Sequence, residues 1–525
     1  MRALEGLQPE KVFYYFEEIS KIPRGSYHEK AISDYLCEYA KEHGIKYYQD
    51  ELYNVVMQVP ASEGRENEEP LIMQGHMDMV CEVRPGADKN MEAEGLDLYV
   101  EGDYVRAKDT TLGGDDGIAV AYMLAIADDK SISHPPLEFI ITVSEEVGME
   151  GADGIDLSML KGHKMLNLDS EDEGIFLSSC AGGVSALVTI PVKRVGISTL
   201  VNYDKSDNVL GDINKGMKVS GDKGYDNNKV VWYRVSVSGL LGGHSGCEID
   251  KGRANANKVI GRVLNELSTQ LNYGLAELNG GKKDNAIPIQ SQALFCIAGD
   301  SAEIEELEKR ARIVIDNINT ELKNEYSRSD PDIQITLDRV DNHDEDKTVA
   351  YEDLEVLSDE SRKRIITYLM CVPDGIQNMS MSVQGLVETS LNLGIMELKR
   401  DHLFIQHSVR SSVATRKEYV IKNLEALTAM LKGKVELKGD YPAWEYREDS
   451  EVREKVVVLY EKMYGQKPVV EGIHAGLECG LLAAKIAELD CVAMGPDILD
   501  IHTYNERLSI SSTKRVYEFL TEFLK

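Results

Sequence analysis

His76 and Asp78 stand two residues apart in Gln-Gly-His-Met-Asp-Met-Val, at the end of an apolar run that begins at Leu71. On a β-strand, residues two apart project from the same face, so an imidazole and a carboxylate are presented together. That pair suits zinc, which takes nitrogen and oxygen ligands, with a carboxylate to orient the ligating ring. A His-x-Asp triplet also arises by chance, so its weight comes from four segments downstream.

Thr-Thr-Leu-Gly-Gly-Asp-Asp-Gly, residues 110–117, precedes a helical pattern and places Asp115 or Asp116 in a turn that glycine permits. Taken alone, this reads equally well as a helix cap. Ser144-Glu145-Glu146 follows an apolar strand, and adjacent carboxylates there fit a solvent-facing tip or a metal site. Asp169 ends another short apolar strand. His502 and Glu506 lie in a loop after the last strand expected, Asp490 to Met494. His76, Asp115, Glu145, Glu146, Asp169 and His502 thus all follow expected strands, where one sheet converges them. Two histidines and three carboxylates suffice for two zinc ions sharing an aspartate, and one glutamate is left over. Hydrolysis needs such a residue, a carboxylate that takes a proton from the activated water and passes it to the leaving amine.

The elements that must position these residues are legible as patterns. Two amphipathic helices span Pro9 to about His43, broken at Pro-Arg-Gly. Val55–Val59, Leu71–Met73, Leu137–Val143 and Met165–Leu168 read as strands, with a helix over Gly117–Ala127 between them. This alternation predicts an α/β layer with buried central strands. After Cys180-Ala-Gly-Gly the character changes to α+β. One-sided strands are expected at Val184–Val192 and Val230–Ser238, helices at Ala254–Leu271 and Ala302–Lys323, and a strand at Gln292–Ala298. The Gly-, Asp- and Lys-rich segment between the first two strands reads as a loop or partly ordered insertion. The α/β pattern resumes near Asp440, with helices near Glu454–Met463 and Gly476–Ile486. Residues 1–185 and 440–525 are therefore expected to form one domain, and 186–439 a second inserted into it.

Composition bounds the rest. A chain of 525 residues exceeds what one core usually serves. Lys plus Arg number 58 against 90 Asp plus Glu, a formal charge of −32, which argues against nucleic acid or an anionic membrane as partner. The eight cysteines form no Cys-x-x-Cys pair, so reduced thiols in a cytoplasm are expected. The amino terminus lacks the apolar core of a signal peptide, and no uninterrupted apolar stretch reaches membrane-spanning length.

Six segments resemble the aminoacyl-histidine dipeptidases of the M20 metallopeptidase family, in order and through nearly the whole chain. They are Gly-His-Met-Asp-Met-Val, Thr-Thr-Leu-Gly-Gly-Asp-Asp-Gly, Glu-Glu-Val-Gly-Met-Glu-Gly-Ala, Asp-Ser-Glu-Asp-Glu-Gly with Cys-Ala-Gly-Gly behind it, Gly-Gly-His-Ser-Gly and Ile-His-Ala-Gly-Leu-Glu-Cys-Gly. The resemblance implies an α/β zinc-peptidase domain with a central, mostly parallel sheet, interrupted by an α+β lid. It implies two Zn2+ per chain, with Mn2+ or Co2+ as substitutes, and cytosolic hydrolysis of Xaa-His and other unblocked dipeptides by a homodimer. By motif, His76 and Asp169 would hold one ion, His502 and Glu146 the other, and Asp115, rather than Asp116, would bridge them. Asp78 would orient His76, and Glu145 would be the general base. In the lid, His244 would stabilise the tetrahedral oxyanion, while Asn285 and Arg410 would meet the peptide carbonyl and the terminal carboxylate. His474 and Glu478 belong to a shared motif and are grouped with the substrate contacts.

Two departures stand out. Gly196–Asn228 is longer than the resemblance implies, and the loop carrying His502 lacks the Pro-His-Ser-Pro wording of the family. The competing readings are another M20 activity (a tripeptidase, a carboxypeptidase or an N-acyl amino-acid deacylase) and a binding protein that has lost the chemistry.

Overall fold

The computed structural model describes residues 2–197, 229–340 and 355–525. The Gly196–Asn228 insertion, past its first two residues, and residues 341–354 lie outside the described residues.

Apolar runs build an eight-stranded sheet in the spatial order Lys46–Gln49, Val55–Val59, Leu137–Thr142, Leu71–His76, Lys164–Asn167, Asp490–Ala493, Ile175–Cys180 and Val469–Ile473. Its four central strands, Leu137–Thr142 through Asp490–Ala493, run parallel. Leu71–His76 is buried along its whole length, which explains why it opens on the apolar run Leu71–Met73 rather than on an alternation. Helix Gly114–Asp128 is buried almost all round and lies against that sheet, as its Ala-, Ile- and Met-rich sequence demands. On the same side pack Phe13, Phe16, Phe139 and Phe519, each contributing ~1.5–3 kcal/mol relative to exposure. Trp444, Cys479, Leu482 and Cys491 belong to the smaller core cluster that also takes in Val56, Ile72 and Ile140 of this sheet.

A second, nine-stranded antiparallel sheet has its own core. It includes the expected strands, now bounded as Gly182–Pro191, Lys229–Ser238 and Ser291–Gly299. It also includes strands that the sequence reading did not anticipate, among them Val387–Leu398, His402–Ser411 and Lys434–Tyr441. Helices Ala256–Gln270 and Ser301–Glu325 are both capped by side chains, the second through a reciprocal Asp300–Glu303 capping box. The chain leaves the first sheet after Cys180 and returns at Trp444, where the two residues exchange backbone hydrogen bonds of 2.9 and 3.2 Å. The molecule is thus mixed α/β, with a mostly parallel sheet and a separate antiparallel one.

The region after Asp490–Ala493 differs from expectation. Two further short strands, Ile498–Leu499 and Arg507–Ser509, pair with each other, and the second also pairs with Tyr104–Ala107. His502 therefore sits in a pinned hairpin, not in a free loop after the last strand.

Candidate metal centre and the cleft above it

Register brings the acids together. His76 pairs with Thr142, so Val143 and Ser144 carry the chain past the strand end to Glu145 and Glu146. Gln74 pairs with Asn167, which places Asp169 at the same edge. The turn ahead of helix Gly114–Asp128 supplies Asp115 from one side, and the His502 hairpin approaches from the other.

Asp115 stands at the middle. Its Oδ1 lies 3.0 Å from His76 Nε2 and its Oδ2 lies 3.1 Å from His502 Nε2. Asp169 Oδ1 is 3.7 Å from the same His76 nitrogen, and Glu146 Oε2 is 3.0 Å from His502 Nε2. Asp78 Oδ1 meets the other face of the first ring, 3.2 Å from His76 Nδ1. It also accepts the Glu145 N–H at 3.1 Å, and Ser26 Oγ donates to Asp78 Oδ2 at 2.8 Å. Asp116 turns the opposite way, beneath Gly75, where its Oδ2 accepts the His76 N–H at 3.3 Å.

The donor set fits divalent cations. Three groupings have ligand atoms within 4.8 Å of one another: His76 with Asp116 and Asp169, His76 with Glu145 and Glu146, and Asp115 with Glu146 and His502. Glu146 Oε1 is buried without a hydrogen-bond partner, a costly state for a carboxylate oxygen unless a cation meets it. Burial pulls the His76 imidazolium down, yet Asp115, Asp169 and Asp78 outweigh it and hold it well above the usual range. Hydrogen bonds to Asp115 and Glu146 push His502 up to about 11. Both rings thus sit in a strongly negative field, which positive charge relieves. Burial, reinforced by Asp169, Glu478 and Glu146, raises the Glu145 carboxyl well above the ordinary glutamate value.

Arg410 of the antiparallel sheet, a separate two-stranded ladder and the segment after strand Val469–Ile473 contribute a different set of groups. His244 and Ala286 pair in a two-residue ladder, and Ser245 donates its N–H to the Asn285 carbonyl at 2.8 Å, so His244 and Asn285 lie on neighbouring segments. His244 Nδ1 accepts from the Gly246 and Cys247 amides at 3.2 and 3.1 Å, which leaves the hydrogen on Nε2. Burial and the charge of Arg410 lower its pKa, so the ring is a neutral donor. Arg410 is only 9% exposed, and its guanidinium has no acidic partner among the described residues; Nη1 donates to Tyr441 Oη at 3.0 Å. His474 Nε2 lies 2.7 Å from Ser390 Oγ, and burial with Arg410 nearby lowers its pKa to about 3. Glu478 departs from its grouping with the substrate contacts. It is completely buried, its Oε2 accepts from Thr142 Oγ1 at 2.6 Å and from Gln74 Nε2, and it supports the strand ends from below.

The model of peptidase family M20/M25/M40 matches residues 72–525. This chain belongs to that family. It is 32% identical over its full length to the cytosol non-specific dipeptidase of Escherichia coli, covering 99% of that protein. Among solved structures it resembles the aminoacylhistidine dipeptidase of Vibrio alginolyticus, with a TM-score of 0.84 and 31% identity over 99% of this chain and 97% of that one. The aminopeptidase PepT of Bacillus cereus shares the fold at 15% identity, with a TM-score of 0.52 over 99% and 98% of the two chains.

In this M20 peptidase, three supporting residues escaped the sequence reading as functional positions. Arg24, in the Pro-Arg-Gly break, is buried and donates to the Met77 and Asp78 carbonyls at 2.9 and 3.0 Å and to the Gly113 carbonyl, tying the His76 arm to the Asp115 turn. Gly113 there has φ of +64°, a left-handed turn that favours glycine. Glu506 accepts the Leu112, Gly113 and Gly114 amides at 2.8, 3.0 and 2.8 Å, fixing the backbone that delivers Asp115. Glu29 Oε1 takes both the N–H and the hydroxyl of Ser144 at 2.9 Å, fixing the turn that delivers Glu145. Arg24 lies in a helix break and Glu506 in the His502 loop, yet no local pattern assigns either residue a role.

Proposed function

We propose that this chain is a metal-dependent dipeptidase that hydrolyses Xaa-His and other unblocked dipeptides in the cytosol, as a homodimer holding two Zn2+ per chain, with Mn2+ or Co2+ able to replace them. The observation that carries this reading is the Asp115 carboxylate between His76 Nε2 and His502 Nε2, with Glu145 beside them. The names of the Escherichia coli and Vibrio relatives support the substrate class, and no helix among the described residues is long and apolar enough to cross a membrane. Residues 1–185 with 440–525 form the catalytic domain in this reading, and 186–439 the lid, in keeping with the two separate cores.

His76 and Asp169 would hold one ion and His502 and Glu146 the second, with Asp115 shared between the two sites. Ions bound there supply the Lewis acidity that acidifies the attacking water and polarises the scissile carbonyl. Asp78 fixes the His76 ring through Nδ1 and the Glu145 backbone through its N–H, so the base and its neighbouring ligand move as one unit. Glu145 takes a proton from the water at its carboxylate and returns it to the departing amide nitrogen. His244 offers Nε2–H to the developing oxyanion. Asn285 addresses the peptide carbonyl. Arg410, a buried cation without an acid, receives the substrate's terminal carboxylate.

The test is hydrolysis of β-Ala-His, Gly-His, Leu-Leu, a tripeptide and an N-acetyl amino acid by the zinc-loaded protein beside Glu145→Gln, with metal content and solution mass measured in parallel. Cleavage of dipeptides, lost in the variant while bound metal stays the same, is expected. Turnover confined to the tripeptide or the acetylated substrate would transfer the protein to another M20 activity, and no turnover at all would favour the binding-protein reading.

A further inference from the structure

Arg410 raises a question that its role as carboxylate receptor does not answer. A guanidinium buried to this degree is ordinarily fixed by an acid, yet an acid in that position would cancel the charge that a substrate carboxylate needs. The structure supplies a neutral oxygen instead, Tyr441 Oη, at 3.0 Å from Nη1. Nη2 makes no hydrogen bond among the described residues, and Nε is buried without a partner. The fork is therefore held at one corner and left uncompensated at the others.

The phenol ring is itself confined. A β-carbon at Gly183 would collide with Tyr441 Oη, and one at Gly476 would lie 2.8 Å from Cε2. Gly183 belongs to the antiparallel sheet and Gly476 follows strand Val469–Ile473 of the mostly parallel one, so the ring occupies a slot between the two bodies. Met149, Ala152 and Leu481 form the apolar cluster against which it packs. Lys417 Nζ anchors its backbone, donating to the Tyr441 carbonyl at 2.7 Å. Burial raises the phenol pKa, with Asp284 and Glu145 adding to the rise, so the hydroxyl keeps its hydrogen and lies within electrostatic reach of the base. That O–H, having accepted from Arg410, has no acceptor of its own among the described residues.

We propose that Tyr441 is a specificity-determining partner of Arg410: it orients the guanidinium without neutralising it and adds its own O–H, so that the pair receives the C-terminal carboxylate of the dipeptide. This rests on the reading of Arg410 given above and extends it to a residue outside the recognised motifs. The site then selects a free carboxylate one residue beyond the scissile bond, which limits cleavage to short peptides with unblocked C-termini. A neutral amide end offers one acceptor oxygen and no charge, and leaves the buried guanidinium uncompensated.

The experiment compares Gly-Leu with Gly-Leu amide on the full-length, zinc-loaded protein, taking the ratio of the two kcat/KM values for the wild type, Arg410→Lys and Tyr441→Phe. The wild type is expected to favour the free dipeptide strongly. Arg410→Lys should collapse that preference, and Tyr441→Phe should lower it about tenfold, chiefly through KM for the free dipeptide. If Arg410→Lys collapses the preference while Tyr441→Phe keeps the wild-type ratio, or if Tyr441→Phe slows both substrates in equal proportion, the inference about Tyr441 is overturned and the Arg410 reading stands. A wild type that cleaves both substrates equally well overturns both.

Discussion

The two sheets bury opposite halves of an electrostatic problem. At the carboxyl edge of the parallel sheet, Asp78, Asp115, Asp116, Glu145, Glu146, Asp169 and Glu478 crowd together, and two buried carboxylate oxygens, Glu146 Oε1 and Glu478 Oε1, find no donor among the described residues. On the side of the antiparallel sheet, Arg410 is buried near neutral His244, His474 and Tyr441, with no acid against it among the described residues. Neither region is balanced by its own residues. The first is complete only with cations and the second only with an anion, so metal and substrate carboxylate each supply what the chain leaves out.

The largest effect should come from the acidic side. Glu145→Gln keeps the shape of the side chain and its backbone bond to Asp78 but removes the proton carrier, so kcat should fall about 10³-fold with KM and metal content close to wild type. Loss of metal together with activity would show that Glu145 serves the site as a ligand and not as a base. A smaller effect is expected one step outward. Glu506→Gln replaces an anion that gathers three amides at 2.8–3.0 Å with a group that can accept on one side only. The Asp115 turn should loosen, and metal affinity should fall about 10–100-fold, read by competition with a chelator, while Arg410-dependent selectivity keeps its wild-type ratio. A change in that ratio would mean that the two regions are not separable.

Most of the acidic half was legible in the sequence because two periodicities expose it. Apolar runs mark buried parallel strands, and the residue after each run must lie at the sheet edge, which is how Glu145 and Asp169 could be placed together. The choice between Asp115 and Asp116 could not be made from spacing, since both occupy one turn and only the backbone path sends one upward and the other beneath Gly75. Glu506 and Arg24 act through contacts 392 and 89 residues away in sequence, and nothing local marks them. The antiparallel half hid better. Strands Val387–Leu398 and His402–Ser411 bury Thr389, Ser390, Asn392, His407, Ser408 and Arg410, so the apolar alternation that announces a strand is broken by the very polar residues that matter. Tyr441, at the end of an exposed strand, carries no motif at all.

The smallest prediction tests why arginine, among basic residues, serves the antiparallel half. His407 is also buried there without an acid among the described residues; its Nε2 lies 2.8 Å from Tyr368 Oη, and burial, with Lys258 nearby, lowers its pKa to about 3. Burial neutralises an imidazole by taking its proton, whereas a guanidinium does not lose one at any accessible pH and stays a cation. The sign follows from linkage. The folded pKa of about 3 lies below the unfolded value near 6.5, so the unfolded state binds the proton first. Stability from a neutral His407 is complete above about pH 6.5 and is lost as pH falls toward 3. His407→Gln keeps an acceptor for Tyr368 and removes the titration. Its deficit in unfolding free energy relative to wild type should therefore shrink by about 1.4 kcal/mol per pH unit between about pH 6 and 4. Parallel unfolding curves over that range would mean that His407 keeps its proton in the fold, and the antiparallel half would then tolerate unpaired cations generally instead of reserving that state for Arg410.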